Sequence, residues 1–361
     1  MGTDNINSTV SQSSQLEVVK NVQKASIAIY CLIFIVGTLG NGLVIYVTGF
    51  KMKRTVNSVW FLNLALADFL FTAFLIFSII SVFHGNLWPF GQLMCKLNNF
   101  VGVVNMFASI FLLTAISLDR CMSIWVVVWA QNKRTVLKAQ IACAVIWLTA
   151  GVCSVPYATS RTLLQRNGTS MCVYPSNMTA EHKWSLYTVR FVVGFLVPFL
   201  VIFISYVAIG VRAGRLHRTR KPRSRRILFA IIFAFFICWL PFHVFSFIEL
   251  EAGKNKDLRY IIGIGGPLAL SLAFMNSCLN PILYVFICDE FQKKLQTSIC
   301  FVLESALAED HLSFLSFRSL SSHFSRVKSD SGAPLEDKFT PTSLTFTESK
   351  EGITDNTLSP E

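Results

Sequence analysis

Long apolar stretches alternate with short polar segments along most of the chain. Seven of these stretches have about twenty residues or more, which is the length that an α-helix needs to cross the hydrocarbon core of a bilayer. They lie at roughly 26–50, 58–83, between Lys96 and Asp119, and at about 139–157, 186–211, 227–250 and 260–287. The pattern predicts an all-α membrane protein, a bundle of seven transmembrane helices within residues 25–288.

The segments on either side of this bundle are of three kinds. Residues 1–24 are polar and lack the pattern of a cleavable signal peptide, so we expect an extracellular amino-terminal tail and a first span that itself directs membrane insertion. Residues 289–304 predict a short amphipathic eighth helix on the membrane surface, because apolar side chains recur there at helical spacing: Phe291, Leu295, Ile299 and Val302. Residues 305–361 are rich in Ser, Thr and acids, which is typical of a disordered tail.

The distribution of charge orients the chain in the membrane. Basic loops follow the first, third and fifth spans, which predicts an extracellular amino terminus and a cytoplasmic carboxyl terminus. The sequons at Asn7, Asn167 and Asn177 then lie on the outer face, where glycosylation takes place. The net charge is +12, but 53% of the residues are apolar and 14% are charged, so the basic residues indicate cytoplasmic loops rather than nucleic-acid binding.

Signatures of the other functional classes are missing from the sequence. The ten cysteines are scattered, without the paired spacing of a zinc site or the density of a disulfide scaffold. No HExxH or Walker A pattern supports an enzyme. A membrane transporter is the alternative class, but no inverted repeat of broken spans favours it.

Polar and proline residues interrupt the apolar spans. Asp68 lies near the middle of the second span, where a charge is costly and indicates function. Asp119-Arg120-Cys121 ends the third span. Further positions are Asn41, Trp147, Pro198, Cys238-Trp239-Leu240-Pro241 and Asn280-Pro281-Ile282-Leu283-Tyr284. Together these motifs resemble those of the rhodopsin-like (class A) G-protein-coupled receptors, over residues 25 to about 305.

The resemblance implies a role for each set of residues. It pairs Cys95 with Cys172 in a disulfide and makes Arg120 a switch that pairs with Asp119 at rest and faces the G protein when active. The G-protein switch comprises Asp119, Arg120, Tyr206, Asn280, Pro281 and Tyr284, and the activation relay Trp239, Phe235, Ile110 and Pro198. A sodium ion is expected at Asp68, Ser109, Asn276 and Asn280, with a hydrated polar cluster as the alternative. Cys288 or Cys300 is the expected palmitoylation site.

Two departures from the family pattern concern the switch. Cys121 stands where most members have Tyr, and the family's acid at the base of the sixth span is absent, because Lys221 and its neighbours are basic. Without that salt bridge we expect packing to hold the inactive state, with some basal activity.

The charges in the outer half of the bundle narrow the ligand class. Gly102 and Met106 stand where an amine receptor keeps its acid, and no lysine between Lys256 and Lys293 could bind retinal. Arg190 lies inside the fifth span, where a guanidinium needs an anionic partner. We therefore predict an anionic ligand bound by Arg190, Arg161, Tyr174, Phe242 and Met106. The alternative is that Arg190 snorkels outward or pairs with Glu249 or Glu251.

Longer sequence matches resemble the leukocyte chemoattractant branch of this family. They are Asn105-Met106-Phe107-Ala108-Ser109, Val128-Trp129-Ala130-Gln131-Asn132 and Arg190-Phe191-Val192-Val193-Gly194-Phe195. The branch implies a plasma-membrane receptor that signals chemotaxis or inflammation through an inhibitory-class G protein. Its ligand is expected to be a prostaglandin-like lipid acid, with a chemerin-like or formylated peptide as the alternative. The tail's closely spaced Ser and Thr predict sites for receptor kinases and arrestin: Thr340, Thr342, Ser343, Thr345, Thr347 and Ser349.

Overall fold

The computed structural model describes residues 2–166, 168–215, 222–253 and 255–287. Within these ranges the chain is almost entirely helical. The helices are α1 (Gly2–Tyr46), α2 (Val56–Phe83), α3 (Gly91–Trp125), α4 (Val127–Asn132), α5 (Val136–Thr159), α6 (Ala180–Phe191), α7 (Val197–Arg215), α8 (Pro222–Glu251) and α9 (Lys256–Ile287). Seven stretches of these residues are long and apolar enough to cross a membrane, which confirms the predicted seven-helix bundle.

The helix boundaries follow from local sequence. Thr55 caps α2 by accepting a hydrogen bond from the backbone N–H of Ser58, whose hydroxyl accepts from the N–H of Thr55 in return. Thr135 caps α5 in a similar way, through the N–H of Lys138. These caps satisfy backbone donors at the first turns of two membrane spans.

Helix α3 lies at the centre of the packing. It contacts α2, α5 and α7 along its length, and Phe107, Ala108, Ile110 and Leu112 have no exposed surface. Polar side chains also join helices: the Trp147 indole N–H on α5 donates to Asn63 Oδ1 on α2 at 3.0 Å. Because lipid tails do not drive apolar helices together, close packing and such interhelical hydrogen bonds hold the bundle.

Helix α1 lies close to two other helices because of its glycines. A Cβ atom at Gly37 would lie 2.5 Å from Thr72 Cγ2 on α2, and one at Gly40 would lie 3.2 Å from Pro281 Cβ on α9. The neighbouring Asn41 amide nitrogen donates at 2.9 Å to the backbone carbonyl of Ser277 on α9. Small residues at a helix interface therefore bring polar groups of α1 into hydrogen-bonding range of α9.

The fifth membrane span is interrupted by a π-helical turn, Val192–Leu196, between α6 and α7. A π-helical turn contains more residues than an α-helical turn, so it changes the direction in which side chains on its two sides point. Gly194 lies inside this turn, and a Cβ atom there would be 3.0 Å from Met106 Cε on α3. The turn thus allows the fifth span to pack closely on α3.

The structure differs from the sequence expectation at two places. Helix α1 begins at Gly2, within the expected amino-terminal tail, because no proline stops the helix there. The loop at 158–185 contains an antiparallel hairpin of β1 (Thr162–Arg166) and β2 (Thr169–Val173), which the sequence analysis did not predict. The Asn167-Gly168 dipeptide between these strands is a hairpin signal, and Gly168 has a φ of 76°. The expected eighth helix and the tail lie outside the described residues.

Candidate functional site

The hairpin is fixed to the outer end of α3. Cys95 on α3 is bonded to Cys172 on β2, with the two Cα atoms 5.7 Å apart, as predicted. The Gln92 side chain donates to the carbonyl of Arg161 at 3.0 Å and accepts from the N–H of Leu163 at 2.8 Å. The covalent bond and these two hydrogen bonds hold Arg161, just before β1, over the helices.

A cavity of about 350 Å³ lies between this hairpin and the outer halves of the helices. All five residues predicted to bind the ligand line it: three come from the helices α3, α6 and α8, and two come from the segments that flank the hairpin. They are Met106, Arg161, Tyr174, Arg190 and Phe242. Side chains that the sequence analysis did not assign to the ligand also line the cavity, among them Asn98, Asn99, Tyr187, Ser246 and Glu249. Trp239, which the sequence assigned to the activation relay, faces the same space.

Arg190 is buried in this cavity, with 8% of its surface exposed. Its guanidinium lies 4.7 Å from the Phe242 ring centroid and 4.8 Å from that of Tyr187, and donates to the Ser246 hydroxyl at 3.2 Å. The Nε of Arg190 has no hydrogen-bond partner, and across the described residues Arg190 forms no ion pair with Glu249 or Glu251. This buried side chain does not snorkel outward, so its charge is compensated by ring faces and one hydroxyl alone.

Arg161 and Tyr174 form the outer wall of the cavity. The Arg161 guanidinium carbon lies 3.9 Å from the centroid of the Tyr174 ring, so the two side chains stack. The Nε of Arg161 is buried and has no hydrogen-bond partner in the described part of the chain. The cavity therefore holds two guanidinium groups, each stacked on aromatic rings and each with unused donors.

Ser246 and Glu249 could have been found from the spacing of Phe242, which the sequence had already singled out. Residues four and seven positions along a helix lie on the same face, so Phe242, Ser246 and Glu249 predict one lining surface of α8. His243 lies behind that surface with 2% exposure, against the rings of Phe191 and Phe195. No signal in the sequence distinguishes this buried histidine from a cavity residue.

A buried polar cluster lies beneath the cavity around Asp68, which has no exposed surface. Its Oδ2 accepts from the Asn280 amide at 2.6 Å. With the Asn105 amide oriented to satisfy its neighbours, its nitrogen donates to Asp68 Oδ1 at 3.1 Å and its oxygen accepts from Ser277 at 3.1 Å. Asn105 also lines the cavity, so the cluster and the ligand cavity share one wall.

These groups fit the sodium ion expected from the sequence. A fully buried carboxylate needs a positive or donating partner, and Asp68, Ser109 and the nearby amide oxygens are hard ligands for a small cation. Ser109 and Asn276 are buried with Asp68 and Asn280, at 1% and 4% exposure. Asp68 would hold the ion and Ser109 would complete its shell; the sodium site stays a prediction.

The relay residues are packed together below the cavity. Ile110, Phe235 and Trp239 belong to one buried cluster, and the ring centroids of Phe235 and Trp239 are 6.0 Å apart. Pro198 is also buried. Trp239 contacts Phe242 with its ring centroid 5.6 Å away, so a continuous aromatic path leads from the cavity towards the middle of α8.

At the end of α3 opposite Cys95, Asp119 is held by an arginine that the sequence analysis did not single out. The Arg134 Nε and Nη2 atoms both lie 2.8 Å from carboxylate oxygens of Asp119, in a bidentate pair. Arg134 Nη2 also donates to Asn57 Oδ1 at 2.8 Å. Arg134 therefore joins the end of α3 to the first turn of α2, just before the capped start of α5.

For the remaining predicted site residues, the structure gives the burial of the side chain or does not describe the residue. Arg120 is half-buried and Tyr206 is buried, and both make interactions; Pro281 is buried in α9. Asn177 is exposed in a turn, as a glycan acceptor must be, but glycosylation stays a prediction. The side chains of Asn7 and Tyr284, and the whole of Asn167, Cys288 and Cys300, lie outside the described residues.

Comparisons with known proteins agree with this geometry. Residues 40–284 match the family model described as the 7 transmembrane receptor (rhodopsin family). The chain is 41% identical over 328 residues to the chemerin-like receptor 1 of Bos taurus, covering 85% of this chain and 89% of that receptor. It is 40% identical to the C3a anaphylatoxin chemotactic receptor of Danio rerio over 80% of this chain and 79% of that receptor. It is 39% identical to the prostaglandin D2 receptor 2 of Rattus norvegicus over 80% of this chain and 74% of that receptor.

Proposed function

Because the chain belongs to the rhodopsin family of seven-transmembrane receptors, we propose that its outer cavity binds a chemoattractant through a carboxylate and that it activates an inhibitory-class G protein. As a receptor of this family, it is a multi-pass membrane protein and not an enzyme. We further propose an extracellular amino terminus, which the basic loops after the first, third and fifth spans support.

The observation that carries the proposal is Arg190. Its guanidinium is buried in the cavity, and in the described part of the chain it has no acidic partner. A ligand carboxylate would provide that partner and accept hydrogen bonds in a bidentate pair, stronger than those between neutral groups. Arg161, which faces the same cavity, would add a second positive charge and draw an anion towards the mouth.

Both ligand classes expected from the sequence carry a carboxylate. A prostaglandin-like lipid acid presents one acid at the end of an apolar chain, which suits the ring faces of Phe71, Phe74 and Phe274 in the cavity wall. A peptide presents its terminal carboxylate with amide groups behind it. The relatives include receptors named for a lipid and receptors named for proteins, so identity alone favours neither class.

The test is an agonist panel on the full-length receptor, with G-protein activation as the readout. Prostaglandin D2, chemerin-like carboxyl-terminal peptides and formylated peptides are each compared with their neutral ester or amide. We expect at least one acid to activate the receptor and its neutral form to be at least tenfold weaker, the change that corresponds to about 1.4 kcal/mol. Pertussis toxin should abolish the response if an inhibitory-class G protein carries it. Esters and amides as potent as the acids would contradict the carboxylate, and a toxin-resistant response would contradict the coupling.

We also propose that receptor kinases and arrestin act on the tail beyond residue 335. Phosphates on its clustered Ser and Thr would add negative charge that a basic groove can bind. Truncation at residue 335 is therefore expected to lower agonist-induced arrestin recruitment severalfold and to leave G-protein activation unchanged. A matched variant in which the six clustered Ser and Thr are replaced by Ala should behave like the truncation. Arrestin recruitment equal to that of the full-length receptor would refute this role.

A further inference from the structure

Glu249 places a negative charge in the same cavity as the two guanidinium groups. It lines the cavity, and its side chain is exposed. It lies on α8 three residues beyond Ser246, whose hydroxyl accepts the hydrogen bond from Arg190. At a rise of about 1.5 Å per residue, this puts Glu249 roughly one helical turn nearer the outer end of α8 than Ser246.

The surroundings fix where this charge lies relative to the positive ones. Phe247 on α8 packs against Trp184 on α6, with ring centroids 5.7 Å apart, which holds the outer ends of the two helices together. Tyr187 on α6 lines the same cavity as Glu249 and both arginines. The cavity therefore has Arg190 at its inner end, and both Arg161 and Glu249 lie nearer its mouth.

Glu249 is not used by the rest of the protein to neutralise those arginines. Across the described residues it forms no ion pair with Arg161 or Arg190, although all three side chains line the same cavity. Glu251, two residues further along, is also exposed but does not line the cavity. A carboxylate that served solubility alone would be expected at the position of Glu251 rather than inside a binding cavity.

A second acid in an anion-binding cavity has a consequence for selectivity. A ligand that carries a carboxylate and no cation, once bound at Arg190, lies about one helical turn from Glu249 and meets its like-charge repulsion. A ligand that also carries a cation about one helical turn from its carboxylate converts that repulsion into attraction. Selectivity by both a favourable and an unfavourable contact is typical of specific binding sites.

We propose that Glu249 selects dipolar ligands, in which Arg190 binds the carboxylate and Glu249 binds an ammonium or guanidinium group nearby. This inference rests on the proposed carboxylate-binding function. The chemistry corresponds to a peptide with a free carboxyl terminus and a basic side chain among its last three residues, since an extended chain advances about 3.3 Å per residue. A prostaglandin-like lipid acid lacks the cation and would use only half of the site.

The experiment uses synthetic octapeptides with a free carboxyl terminus, made in matched pairs that carry lysine or norleucine at one of the last three positions. Prostaglandin D2 represents the acid without a cation. All are tested for G-protein activation on the wild-type receptor and on the Glu249→Gln, Glu251→Gln and Arg190→Gln variants at equal surface expression. Glu249→Gln removes the charge in the cavity, and Glu251→Gln is the matched control outside it.

We expect the best lysine peptide to be more potent than its norleucine partner on the wild type by about three- to fivefold, the scale of an exposed ion pair. Glu249→Gln should abolish that preference and Glu251→Gln should keep it. Salt should weaken the preference in the wild type, because an exposed pair is screened. Norleucine peptides as potent as lysine peptides, an unchanged preference in Glu249→Gln, or prostaglandin D2 more potent than every lysine peptide would each overturn the proposal.

Failure of the proposed carboxylate binding would give a different set of potencies. If Arg190→Gln and amidation of the peptide carboxyl terminus both leave potency unchanged, the carboxylate proposal fails. If both lower potency but the lysine preference is absent, the carboxylate proposal stands and the role of Glu249 is refuted.

Discussion

Replacement of Arg190 by alanine is expected to weaken an acidic agonist by roughly thirty-fold or more. Removing one partner of a buried, hydrogen-bonded charge pair costs about 2–5 kcal/mol, and each 1.4 kcal/mol corresponds to about tenfold in affinity. Arg190 meets that condition, since 8% of its surface is exposed and ring faces cover its guanidinium. Potency and radioligand affinity at equal surface expression would measure the loss.

The agonist's own chemistry supplies one control and the protein supplies another. The methyl ester or amide of the same agonist should lose far less on Arg190→Ala, because it presents no charge to leave unpaired. Arg166 is an exposed arginine on β1 that does not line the cavity, and Arg166→Ala should have little effect. An agonist that lacks a carboxylate, or one whose potency does not depend on Arg190, would make Arg190 a structural residue.

Arg134→Ala is expected to loosen the cytoplasmic end of the bundle and to lower basal G-protein activation. The variant leaves the Asp119 carboxylate, whose side chain is 10% exposed, without its bidentate partner. Because Arg134 is 22% exposed, we discount the cost of a broken buried pair to about 1–3 kcal/mol. The unpaired carboxylate is then available to Arg120, the neighbouring residue that resembles the family's G-protein switch.

A double-mutant cycle separates this effect from general destabilisation. If Arg134 acts through Asp119, Arg134→Ala should have little further effect on basal activity in an Asp119→Asn background. Lys133→Ala is the matched control, because Lys133 is an exposed neighbour with the same charge. Thermal unfolding of the purified receptor measures the loss of stability, and G-protein activation without agonist measures the change in basal activity. Equal, additive effects in both backgrounds would rule out the coupling.

The large-scale fold was predictable because bilayer thickness and backbone hydrogen bonding leave few solutions. Seven apolar runs determine seven helices, and the three basic loops predict an orientation that stays a prediction. A shared location of the candidate ligand residues was also predictable, since a charge such as that of Arg190 inside an apolar span needs a reason; their role in binding stays a prediction. All five of them line one cavity.

Contacts between distant segments were not predictable in the same way. The sequence analysis paired Asp119 with the adjacent Arg120 alone. The bidentate pair with Arg134 depends on how the segment between α4 and α5 folds back towards the end of α3. The spacing of apolar residues in the sequence does not predict that path. An ion pair of Arg190 with Glu249 or Glu251 was the alternative that the sequence left open. The structure shows that Glu249 lines the cavity without forming that pair within the described residues.

The π-helical turn at Val192–Leu196 makes the binding site sensitive to a change in chain length. Each residue of an α-helix turns the chain by about 100°, so loss of one residue from this turn would rotate α6 by roughly that angle relative to α7. Arg190 would then face lipid or a neighbouring helix, while the cytoplasmic half of the span kept its packing. A single-codon deletion in this turn is therefore expected to erase ligand recognition and to leave an inserted receptor.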